Sequence, residues 1–83
     1  VMERMIDLLL RRGTAEEAAP LVQAALKHPQ RFSAIEESAI RLARKYQREG
    51  ERERARSLYH YLLQHFPGTA AARQAERALT DVR

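Results

Sequence analysis

Arg44 and Arg48 stand four residues apart in a stretch, 33 to 49, that holds neither glycine nor proline. On an α-helix that spacing puts two guanidinium groups one turn apart on one face, where both can reach a single carboxylate or a line of acidic side chains. The chemistry on offer is recognition of anions. Arg41, Arg44, Lys45, Arg48, Arg52, Arg54 and Arg56 crowd the segment 41–56, and such a cluster is the usual electrostatic footprint of phosphate binding. Glu49, Glu51 and Glu53 interleave with it, and the net charge of the chain is only +4. No aromatic stacking platform falls on an expected exposed face, and no nucleic-acid recognition motif is present. Three readings stay open for the cluster: a docking site for an acidic protein segment, weak nucleic-acid binding, and solvated arginines paired with neighbouring glutamates.

Catalysis has less to work with. His60 and His65 are five apart and do not share a helical face, and no acidic residue recurs with them at metal-ligand spacing. There is no glycine-rich phosphate loop and no nucleophile with a base partner, and 83 residues leave little chain to enclose a substrate. The expectation is a non-enzyme without cofactor or metal. Cysteine is absent, which removes disulfides and thiolate sites and says little about compartment.

The elements that must carry these residues are helices. Alanine, leucine, arginine and glutamate dominate while valine, isoleucine and threonine are scarce, so propensity favours helix over strand. Met2, Met5, Ile6 and Leu9 fall at helical spacing, with Gly13 as C-terminal cap. Thr14 and Glu17 form a capping box for a second helix that presents Ala18, Leu21, Val22, Ala25 and Leu26, with Pro20 as an internal kink and Pro29 as its end. Ser33 and Glu36 form another box, with Phe32 as hydrophobic staple. The third helix begins near Ala34 with Ile35, Ala39, Leu42, Ala43 and Tyr46 inward, and Gly50 ends it. A fourth follows with Ala55, Leu58, Tyr59, Leu62, Leu63 and Phe66 inward. After Pro67-Gly68, Thr69 caps a fifth whose stripe is Ala71, Ala75, Ala78, Leu79 and Val82. Expected helices are about 2–12, 15–28, 33–49, 52–66 and 69–82, in one domain spanning 1–83. The start in mid-pattern without a cap reads as a fragment of a longer protein.

The stripes repeat. Positions 39, 42, 43 and 46 have counterparts 37 residues earlier at Met2, Met5, Ile6 and Leu9, and 36 later at Ala75, Ala78, Leu79 and Val82. Ala55, Tyr59, Leu62 and Leu63 lie 37 after Ala18, Val22, Ala25 and Leu26. Within Ala39–Pro67 the order Ala39-x2-Leu42-Ala43-x2-Tyr46, Ala55-x3-Tyr59, Pro67 resembles the tetratricopeptide (TPR) repeat, W-x2-L-G-x2-Y…A-x3-F…P. The match departs from the family in its longer period, in Ala39 for tryptophan and Ala43 for glycine, and in Leu9 where the first repeat would carry tyrosine. The resemblance implies an all-α right-handed solenoid of about two and a half antiparallel helix hairpins, serving as a scaffold or adaptor for other proteins.

In that family the first helix of each repeat lines a groove that grips a peptide or partner helix. Carried over, the groove positions are Glu37, Ile40, Arg44, Gln47 and Arg48, with Glu3, Asp7, Leu10 and Arg11 from the first repeat and Arg73, Glu76, Thr80 and Arg83 from the fifth helix. An acidic segment is the sharper expectation for the partner, and the lysine and asparagine set of carboxylate-clamp members is missing. The junction from Tyr61 to Ala71 looks like those of bacterial envelope TPR scaffolds and also of cytoplasmic members, so the compartment stays open between envelope or periplasm and cytoplasm. No apolar run approaches the roughly 20 residues of a membrane span. A second function reading is self-association, with Met2, Met5, Ile6, Leu8, Leu9 and Leu10 of the first helix as a patch that another copy could cover.

Overall fold

The computed structural model describes residues 2–28, 30 and 35–81, the side chains of Met2, Glu3 and Asp81 excepted. It is all-helical: α1 Met2–Arg12, α2 Ala15–Leu26, α3 Ile35–Arg48, α4 Arg52–His65 and α5 Ala70–Asp81. The ends of α2, α3 and α4 and the start of α5 differ from expectation by one or two residues, with Lys27 as the cap of α2. Pro29 as helix stop, the box at Ser33, the staple at Phe32 and a start at Ala34 lie outside the described residues, as does Val82.

The helix boundaries follow from hydrogen bonds that close the free ends. At α2, Thr14 Oγ1 accepts the Glu17 N–H at 3.2 Å while Glu17 Oε1 accepts the Thr14 N–H at 2.8 Å, so two orphan donors are satisfied reciprocally. Gly13 makes room for that exchange, because a Cβ there would lie 3.0 Å from both Glu17 Oε1 and the Leu9 carbonyl oxygen. At the end of α3, Gly50 takes φ 85°. The Glu51 N–H donates to the Tyr46 carbonyl at 2.8 Å and the Gly50 N–H to that of Gln47 at 3.2 Å, the paired bonds of a Schellman stop. Thr69 Oγ1 accepts the Ala72 N–H at 3.1 Å and so caps α5 as its position implied.

α3 is the central helix. It packs on α2 and α4 and also touches α1 and α5, while α2 packs on α1 and α4 on α5. Short links after α1, α3 and α4 make the helices they join antiparallel. Glu49 just beyond α3 meets Ala15 at the start of α2, so α2 and α3 are antiparallel as well; α1, α3 and α5 thus form one row and α2 and α4 a second. The thin dimension, 16 Å, of a 36 × 27 × 16 Å body fits these two layers. A single apolar cluster joins all five helices, from Ile6 through Val22, Leu42, Tyr46, Tyr59 and Leu62 to Ala75. Small Ala18, Ala39, Ala43, Ala55 and Ala75 are fully buried, which lets the helix backbones approach closely.

α1 departs from its expected stripe. Ile6 and Leu10 are buried, whereas Met5 is 50% exposed and Leu9 only half-buried. Leu42, the repeat counterpart of Met5, lies in a helix flanked on both sides; α1 has α2 and α3 against one side only. Its apolar surface therefore turns towards them and leaves Met5 and Leu8 in solvent. In α5, Ala71, Ala72 and Ala75 are buried and Ala78 and Leu79 half-buried, the same thinning at the other end.

Candidate functional site

Glu37, Arg41, Arg44 and Arg48 recur at i, i+4, i+7 and i+11 and so occupy one stripe of α3. Two of them tie that stripe to its neighbours in the row. Arg41 Nη1 donates to Asp7 Oδ1 of α1 at 2.9 Å, and Arg44 Nη2 donates to Gln74 Oε1 of α5 at 2.7 Å. Asp7 also meets Arg11 Nε, one turn along α1, at 3.3 Å. Asp7, Arg11, Arg41, Arg44, Arg48 and Gln74 thus make one polar face across α1, α3 and α5.

One of the expected groove positions on α3 does not open onto this face, and another is engaged from the second layer. Ile40 is only 4% exposed and belongs to the core. Gln47 is exposed and accepts the Tyr59 hydroxyl proton at 2.9 Å, which links it to α4. Arg41 lies on the other flank of the stripe, turned to α1. The i+4, i+7 spacing from Glu37 was the available signal for Arg41, which the repeat alignment passed over. Leu10, expected in the groove, is buried. On α5 the residue that reaches α3 is Gln74, while Thr80 bonds back to the Glu76 carbonyl of its own helix at 3.0 Å. Arg83, and the side chain of Glu3, lie outside the described residues.

The charges on the face are unequal. Four arginines stand with Asp7 and Glu37, and the Asp7 carboxylate is shared by Arg41 and Arg11. Among the described residues Arg48 has no ion pair, and the partner of Arg44 is a neutral amide. The interleaved glutamates point elsewhere. Glu49 approaches Lys45 at 4.0 Å, Glu51 approaches Arg54 at 3.9 Å, and neither meets Arg44 or Arg48. Directly below, the buried Tyr59 hydroxyl is raised above its ordinary pKa by desolvation, with the Arg44 guanidinium opposing the shift in part.

A bond across layers steadies this arrangement. The Glu49 carboxylate accepts the Ala15 N–H, at 3.1 Å to one oxygen and 3.3 Å to the other. The end of α3 therefore caps the beginning of α2.

The opposite side of the body carries a different kind of surface. α2 and α4 flank α3 with at most marginal contact between themselves, and an open groove of about 730 Å³ runs between them. Leu42 and Tyr46 of α3 line its base, Ala19, Pro20 and Leu26 one wall, and Leu58 and Tyr61 the other. Arg54 lies with its guanidinium 6.0 Å from the centre of the Tyr46 ring. His65 stacks on Tyr61 at 4.2 Å, while His60 is exposed. Among the described residues no helix is long and apolar enough to cross a membrane.

Compared with known proteins, the chain matches no family model, no curated protein and no solved structure.

Proposed function

We propose that this chain is a TPR-like, non-catalytic interaction module that takes an acidic peptide or helix of a partner protein on the α1/α3/α5 face. The observation that carries the reading is the stripe Arg41, Arg44, Arg48, in which Arg48 has no described counter-ion and Arg44 only the amide of Gln74. Two guanidinium groups one turn apart supply forked donors for carboxylates, and the cost in ordering is lowered at Arg44, which Gln74 already holds in place. The all-helical chain, with its helices in two rows, is compatible with the solenoid that the resemblance implies.

The test is capture of partners by the intact chain beside an Arg44→Glu/Arg48→Glu variant, with binding of a poly-glutamate peptide measured in parallel. Loss of peptide binding by at least about tenfold, together with partners lost only in the variant, is expected for two charge-assisted contacts. Survival of every partner and of peptide binding sinks the assignment. A nucleic-acid role would instead show as binding of generic DNA or RNA that falls steeply as salt rises.

A further inference from the structure

We infer that the groove between α2 and α4 is a receptor for α1 of a second copy of this chain, giving a head-to-tail assembly. Among the described residues Met5 and Leu8 are the large hydrophobic side chains left exposed, at 50% and 52%, and both are on α1. They and Arg12 recur at i, i+3 and i+7, so they form one stripe with a cation at its C-terminal end. Over seven residues that stripe is about 10 Å long.

The groove is the matching template. From Glu53 to Tyr61 its α4 wall spans eight residues, about 12 Å. α2 and α4 run parallel, each antiparallel to α3, so the first turns of both meet at one end of the groove and place Glu16 and Glu53 there. Neither carboxylate has an ion pair among the described residues, and neither has Arg12. Arg54, at the same end, is turned to Glu51 and the Tyr46 ring.

An α1 laid antiparallel to α2 and α4 sets Arg12 between Glu16 and Glu53, Leu8 over Ser57 and Leu58, and Met5 against Tyr61, where a thioether and an aromatic ring attract. The same direction brings the negative end of its helix dipole to the positive ends of α2 and α4. Pro20 adds an acceptor. Lacking an N–H, it leaves the Glu16 carbonyl without its i+4 donor, on a wall that both residues line, and a guanidinium can take that place. Arg4 and Lys27 are then left at the far end, both exposed and screened by solvent.

Donor and acceptor are different surfaces, so the contact is heterologous and an assembly of any length keeps one free donor at one end and one free acceptor at the other. It does not depend on what the α1/α3/α5 face binds.

The test uses the whole chain and two exposed substitutions that spare the core: Leu8→Glu disables the donor and Ser57→Arg disables the acceptor. Sedimentation velocity on the wild type should show association that grows with concentration beyond a dimer, and each variant alone should weaken it by at least about tenfold. An equimolar mixture of the two variants should form a dimer and stop there, because only one intact donor and one intact acceptor remain. A wild type that stays monomeric at high concentration overturns the proposal. So does a mixture that stays monomeric, since it would place any self-contact between like surfaces.

Discussion

α1 and α3 carry the same apolar spacing and meet different surroundings. Leu42 of α3 is 1% exposed because α2 and α4 lie on either side of it; Met5, its repeat counterpart, is 50% exposed because α1 is covered on one side. Pattern alone therefore sets which residues are able to be core, and neighbours set which ones become it. In a stacked array stability is a sum of terms within hairpins and between them, so the middle pair α3/α4 should hold most of it.

The sharpest way to break that contrast is at Tyr59, fully buried and bonded to Gln47. Tyr59→Ala should cost about 3–5 kcal/mol, a large part of the stability of so small a domain, and the loss should appear as a sharply lowered chemical-denaturation midpoint. A melt within a few degrees of wild type would refute the packing. Next in size is a pair within α1. Ile6→Ala, at a buried position, should cost about 2–4 kcal/mol. Met5→Ala, one residue away and half exposed, should change monomer stability by about 0.5 kcal/mol or less. Equal losses at both would mean that α1 is covered on both sides.

The smallest effect lies at alkaline pH. Burial raises the Tyr59 pKa in the folded chain above the ordinary 10.0, so the unfolded chain releases its phenolic proton first. The stability tied to this group is fully present below pH 10 and is lost as pH rises through the elevated folded value. Tyr59→Phe should flatten that decline relative to wild type in denaturant titrations run on either side of pH 10, and an unchanged slope would show that the hydroxyl is not desolvated.

Five helices and most of their limits were legible because local signals set them: Thr14 with Glu17, Gly50, and Thr69 each act within six residues of their targets. The inward stripe of α3, most of that of α2, and Ala55, Tyr59 and Leu62 of α4 were legible for the same reason, while Leu21, Leu58, Leu63 and Phe66 are half-buried at the edge of the core. Ala15, Ala19 and Ala72 were not read as core, as alanine carries too little apolar character to declare its side. The candidate site was legible in part. Asp7, Arg11, Arg44 and Arg48 fall on the α1/α3/α5 face, but Ile40 is buried and Gln47, though exposed, bonds to Tyr59 of α4, which a repeat alignment cannot resolve. The groove between α2 and α4 left no mark in the sequence, because it arises from the spacing of two helices that are held apart by a third.

The bond from Glu49 to Ala15 has a consequence for how the molecule comes apart. The first turn of a helix ordinarily frays, since its amides have no internal partner. Here the opening amide of α2 is held by a residue 34 positions later, so α2 cannot loosen at its start without surrendering a contact from the turn that joins α3 to α4. Two hairpins that could have melted one after the other are fastened at their common seam, and the chain is biased to open as one cooperative unit.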